Sequence, residues 1–176
     1  MKRMFIILEK IRKRILSYCK VFIWKVFYGK SFKKGHNTFF YPLSHILIDK
    51  DGMILIGNNC FFNRNCSINS MGKIKIGDDC IFGENVCLYD HNHKYKLNKN
   101  IIRKQGYDVG TIEIGNNCWI GSNVIILNNV KIGDNVVIAA GTIVNKSIEN
   151  NSVVIDKKNL VISRYDREKE KNEWID

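Results

Sequence analysis

From residue 54 onward an apolar side chain returns at every sixth position. It falls at Ile56, Phe62 and Ile68, then at Ile76, Phe82 and Leu88. It resumes at Ile114, Ile120, Ile126, Ile132, Ile138 and Val144. The next position is often Gly or Ala: Gly57, Gly77, Gly83, Gly115, Gly121, Gly133 and Ala139. Four residues after the apolar one comes a small side chain, at Cys60, Cys66, Cys80, Val86, Cys118, Val124, Val130, Val136 and Thr142. Just before that stands Asn or Asp: Asn59, Asn65, Asp79, Asn85, Asn117, Asn123, Asn129 and Asn135. Each slot has a physical reason. The apolar residue points inward and stacks on its equivalent one coil away. Gly and Asn tolerate the positive φ of a tight corner. The small residue fits the cramped interior beside it. Three hexads make one triangular coil of about eighteen residues, and stacked coils bury a continuous core, so the expected fold is an all-β parallel β-helix.

The same slots account for most of the six cysteines. Cys60, Cys66, Cys80 and Cys118 fill the small inward position, where Cys acts as a small hydrophobe. No CxxC pair or zinc-type Cys/His spacing is present, so no metal is expected. Cys19 and Cys87 lie outside the slot.

The beat is broken twice. Ile68 to Ile76 spans eight residues, two more than a hexad, around the stretch SMG. Leu88 to Ile114 spans twenty-six, an excursion at about 89–111. Long loops on rigid scaffolds usually carry function. Two of the four histidines, His91 and His93, stand at the root of this one.

The charge is confined to one end. Of the net +11, residues 1–34 hold eleven Lys/Arg against one acid, Glu9. Residues 35–176 are close to neutral, with seventeen Lys/Arg and sixteen acids. The high pI is therefore not the footprint of a nucleic-acid surface on the body, and no nucleic-acid module is visible. Apolar residues Ile7, Ile11, Ile15, Phe22 and Val26 recur in the basic arm at roughly helical spacing. Such an amphipathic helix reads two ways: peripheral association with an anionic membrane surface, or a cap on the open end of the coils. MFIIL is too short for a cleavable leader, and no run of about 18 uncharged apolar residues exists, so a cytoplasmic protein is expected, on the inner face of the membrane if the arm docks there. Residues 156–176 mix charge signs and read as a solvated helix or tail.

The repeat, with NVCLYDHNH, the loop, and IEIGNNCWIGSNVIILNNVKIGDNVVIAAGTIVNKSI, resembles the hexapeptide-repeat acyltransferases over about residues 50–155. Within them it resembles the sugar O-acetyltransferases, such as the galactoside and maltose enzymes and those that decorate capsule or lipopolysaccharide. The resemblance implies a left-handed β-helix, a homotrimer with each site between neighbouring subunits, acetyl-CoA as co-substrate and a saccharide acceptor. It places the catalytic base seven residues after Val86, at His93, and an acceptor-binding residue at Asn63. It assigns coenzyme contacts to Trp119, Ser122, Ala140 and Lys146. The family's GxPA turn is absent after the last coil, where Lys157 and Lys158 are weaker candidates for the nucleotide phosphates.

The implied chemistry is direct acetyl transfer without an acyl-enzyme. Imidazole titrates near ~6.5 and supplies neutral base at neutral pH. It would take the hydroxyl proton during attack and return it to the departing thiolate. Asp90 is the acid nearest to His93 and a candidate orienting partner. His91 shares a face with His93 by strand alternation and is a further catalytic candidate. The closest rival is N-acetylation of a nucleotide-linked amino sugar. A zinc hydratase built on the same coil would need three converging histidines, and a non-catalytic scaffold would bind no coenzyme.

Overall fold

The computed structural model describes residues 2–96 and 101–156. The chain opens with one helix, α1 (Lys2–Tyr28), and then winds into stacked triangular coils. Coil one holds β1 (Phe32–Lys34), β2 (Phe39–Phe40) and β3 (His45–Ile48). Coil two holds β4 (Met53–Ile56), β5 (Phe61–Phe62) and β6 (Ser67–Ser70). Coil three holds β7 (Lys73–Ile76), β8 (Ile81–Phe82) and β9 (Cys87–Tyr89). A hairpin then leaves the solenoid, with β10 (His91–His93) antiparallel to β11 (Tyr107–Val109). Coil four resumes with β12 (Thr111–Ile114), β13 (Trp119–Ile120) and β14 (Ile125–Ile126). Coil five holds β15 (Val130–Ile132), β16 (Val137–Ile138) and β17 (Ile143–Val144). A partial sixth coil adds the bridge at Ile148 and β18 (Val153–Val154). Strands stack in parallel register into three walls: wall A from β1 to β15, wall B from β2 to β18, wall C from β3 to β17. The fold is the parallel β-helix read from the repeat.

Each slot does what its side chain dictates. All the apolar positions of the beat are buried, from Ile56 to Val144. Phe40, Phe62 and Phe82 stack nearly parallel along wall B, with centroids 4.5 and 4.3 Å apart. The eight Asn and Asp corner residues all take positive φ, between 53° and 62°. Their side chains bond in ladders up the corners, as in Asn117 to Asn135 at 2.8 Å and Asn85 to Asn123 at 3.0 Å. Gly115 is required by close approach, since a Cβ there would lie 2.5 Å from Asp134 Oδ1. The buried cysteines donate to the carbonyl one coil on: Cys60 to Gly77, Cys66 to Gly83, Cys80 to Gly115 and Cys118 to Gly133.

Coil one lies ahead of the visible beat because three of its slots are disguised. Lys34 pairs in register with Ile56, Thr38 stands where Cys60 does, and Ser44 where Cys66 does. Both hydroxyls donate to carbonyls and accept amides of coil two. A terminal coil is free to vary in this way, because on one side it meets not another coil but α1. That helix seals it. Trp24 meets Phe32 and Phe40 edge-on at 5.8 and 5.1 Å. The Ser17 hydroxyl accepts from Phe40 N at 3.0 Å, and Lys20 Nζ donates to Ser44 O at 2.6 Å. The basic arm is thus a cap.

Candidate functional site

The two breaks in the beat meet in space. Alternation along β9 continues past its end: Leu88 points in, Tyr89 is half-buried, and Asp90 points in and is fully buried. Its carboxylate occupies the space that the two extra residues around SMG open between β6 and β7. Oδ2 accepts from Ser70 Oγ at 2.6 Å and Gly72 N at 3.0 Å, and Oδ1 accepts from Met71 N at 2.9 Å. A Cβ at Gly72 would run into Gly110 O, so that turn needs glycine. Gly110 N donates to Asp90 O at 2.7 Å and closes the hairpin at its root.

On this anchor stand the two histidines. His91 Nδ1 lies 3.0 Å from Asp90 Oδ1, and the imidazole is mostly shielded. His93, two residues on along β10, is exposed. Asp90 therefore orients His91 and not His93: its inward placement and its four contacts direct it to the neighbouring ring. Tyr107 on β11 faces both rings, with centroids 5.5 Å from His91 and 4.4 Å from His93. The Lys50 ammonium sits 5.0 Å from the Tyr107 centroid. Lys94 and Asp108 form a loose ion pair across the hairpin at 3.9 Å. Asn92 Nδ2 donates to Asn128 Oδ1 at 2.9 Å and ties the hairpin to coil four. Tyr107 and Asn128 were not singled out in the sequence. Their roles depend on pairing across the excursion, which no local pattern reveals.

The remaining candidates lie elsewhere on the solenoid. Ser122 and Ala140 stack on successive coils at the corner between walls B and C. Ser122 Oγ accepts from Glu84 N at 3.1 Å. Asn63 occupies the same corner two coils earlier, half-buried, its Oδ1 accepting from Arg64 N at 2.9 Å. Trp119 stands on the outer surface of wall B, 54% exposed. Lys146 is exposed at the opposite corner, between walls C and A, where the hairpin also emerges. One chain thus holds two groups, His91, His93 and Lys146 at one edge of wall C, and Asn63, Ser122 and Ala140 at the other. It does not bring them together. Among the described residues no three His, Cys, Asp or Glu side chains converge as metal ligands. Lys157, Lys158 and all of the expected tail after Asp156 lie outside the described residues.

Residues 111–146 match the family described as bacterial transferase hexapeptide (six repeats). The galactoside O-acetyltransferase of Escherichia coli (strain K12) is 41% identical over 126 residues, covering 72% of this chain and 50% of that protein. A solved galactoside acetyltransferase in complex with coenzyme A superposes with a TM-score of 0.61 at 37% identity, covering 69% of this chain and 60% of that one. A maltose O-acetyltransferase from Clostridium difficile 630 superposes with a TM-score of 0.58 at 28% identity, covering 81% of each chain. The chain spans little more than half the length of the curated relatives it matches, 57% for a Staphylococcus aureus protein and 50% for the E. coli enzyme. Repeat, fold and relatives agree, and the chain belongs to the hexapeptide-repeat family in which the galactoside and maltose O-acetyltransferases are found.

Proposed function

We propose that this chain transfers an acetyl group from acetyl-CoA to a hydroxyl of a bacterial surface saccharide or its precursor, with His93 as general base. The observation that carries the reading is a pair of imidazoles, His91 shielded and His93 exposed, on a hairpin rooted in a buried carboxylate. In the reaction the acceptor hydroxyl gives its proton to His93 as its oxygen attacks the thioester carbon. The C–O bond forms, the C–S bond breaks, and the imidazolium protonates the departing thiolate. Tyr107 packs on the His93 ring and limits its rotation. Backbone N–H groups of the coil turns supply hydrogen bonds to the oxyanion.

The coenzyme would run along wall B and its corner, against the exposed Trp119 indole and the small side chains of Ser122 and Ala140. Lys146 offers charge to a phosphate. The two edges of wall C would come to one site where the edge of one subunit meets the other edge of the next, an arrangement that the homotrimer implied by the family resemblance would supply. Asn63 would hold the acceptor.

The test is thiol release from acetyl-CoA with a panel of sugar hydroxyl and amine acceptors. His93→Ala lowers turnover by about 10²- to 10⁴-fold. Undiminished turnover in that variant overturns the assignment, and turnover with amines alone replaces O- by N-acetylation. A second reading is favoured by the Asp90 contact, which orients His91 as a triad aspartate orients its histidine. In that case His91→Ala, and not His93→Ala, removes the activity.

A further inference from the structure

Helix α1 is amphipathic twice. Ser17, Val21 and Trp24 form the stripe that seals coil one. On the opposite side a second apolar stripe runs through Met4, Leu8, Ile11, Ile15, Phe22 and Val26, at the three-, four- and seven-residue spacings of a single helix face. All six are exposed, from 49% at Ile11 to 69% at Phe22. Met4, Leu8, Ile15, Phe22 and Val26 turn away from the coil that Trp24 closes, and Ile11 stands at the stripe's border with wall B. The helix neighbourhood is cationic: residues 1–34 carry eleven Lys/Arg and one acid. That acid, Glu9, is already held by Arg12 through bonds of 2.9 and 3.0 Å. Helical spacing sets Arg12 on one flank of the stripe and Arg14 and Lys25 on the other. Apolar surface continues beyond the helix into a groove of about 460 Å³, where Phe39, Tyr41 and Phe61 meet Ile7 and Ile11, with Lys10 and Arg14 at its sides.

We propose that this outer face of α1 docks the protein on an anionic lipid bilayer. The apolar stripe sinks into the boundary between headgroups and acyl chains, and the flanking cations meet lipid phosphates. Charge decides between occupants. A second copy of the same helix would bring a like-charged flank with its one acid already paired, whereas an anionic bilayer supplies both apolar depth and negative charge. Among the described residues no helix is long and apolar enough to cross a membrane, so α1 lies along the surface. Because the opposite stripe is fixed to coil one, docking also fixes the orientation of the solenoid to the bilayer.

The test is co-sedimentation of the full chain with vesicles of equal parts phosphatidylcholine and phosphatidylglycerol, and with phosphatidylcholine alone. The expected result is binding to the anionic vesicles, weakened by added salt, and little binding to the neutral ones. Arg12→Gln with Lys25→Gln weakens that binding by roughly 30-fold, taking about 1 kcal/mol per surface cation. Ile15→Glu with Phe22→Glu abolishes it and leaves the thermal midpoint unchanged, since neither side chain takes part in the cap. Equal binding to both vesicle types, or none to the anionic ones, overturns the proposal. So does a glutamate variant that keeps its vesicle binding, or one that changes the oligomeric state in solution, which would make the stripe a seam between copies.

Discussion

Asp90 joins three backbone and side-chain donors of one turn to the imidazole that begins the hairpin. Asp90→Ala takes the acceptor from the Met71 and Gly72 amides and leaves Ser70 Oγ with Met53 O alone, at 3.2 Å, and a loss of about 3–5 kcal/mol is expected, read from the urea midpoint. A loss below about 1 kcal/mol would show that water replaces the carboxylate. Cys66 gives a prediction with a defined pH window. Burial, ahead of its hydrogen bonds, pushes this thiol up to about 11. An unfolded thiol ionises near ~8.5, so above that pH the unfolded chain sheds a proton that the folded chain keeps. The contribution is complete at lower pH and is lost as pH rises toward about 11; the loss is on the order of 3 kcal/mol. Comparing wild type with Cys66→Ala at pH values either side of the window isolates it: the wild type should lose more stability than the variant. The neighbouring thiols of Cys118 and Cys60, together with burial, hold Cys80 above the ordinary range, while the Cys80 side chain lowers both of those neighbours; it is enclosure in the core that keeps these cysteines from alkylation while exposed Cys19 reacts.

The elements differ in how far the sequence foretells them. Coils two to five were legible because each slot admits few side chains: a bulky apolar residue inward, a small one beside the corner, Asn or Asp at positive φ. Coil one was not, because Lys34, Thr38 and Ser44 satisfy its slots by polar means that leave no periodic trace. The excursion was legible as a break and its histidines as candidates. The hairpin register that sets Tyr107 beside His93 was not, since it joins residues fourteen apart in a stretch with no repeat. Nor was the link from SMG to Asp90, which is a matter of volume and not of spacing. The cap was legible as a helix, and its docked stripe only as one of two readings. Trp24→Ala removes the ring that meets Phe32 and Phe40, and a cost of about 3–5 kcal/mol is expected. Loss of protection in residues 32–48 by hydrogen exchange, with coils four and five unchanged, would show that α1 is a local cap.

At the scale of the molecule, the separation of the two candidate groups across wall C has a measurable consequence. If each site takes His93 from one subunit and the Ala140 corner from the next, then His93→Ala and Ala140→Trp chains complement each other. Mixed and reassembled in equal amounts, two inactive proteins should regain roughly one quarter of wild-type turnover. No recovery would place the whole site within a single subunit.

The hairpin leaves the solenoid at Asp90 and rejoins it at Gly110, one hydrogen bond apart. A segment whose ends are so close is an exchangeable cassette. Its tip can be lengthened, shortened or swapped between relatives without disturbing the winding on either side. The segment can therefore diverge by loop replacement while the scaffold stays constant, and a chimera carrying another protein's tip between residues 94 and 106 should fold with unaltered cooperativity.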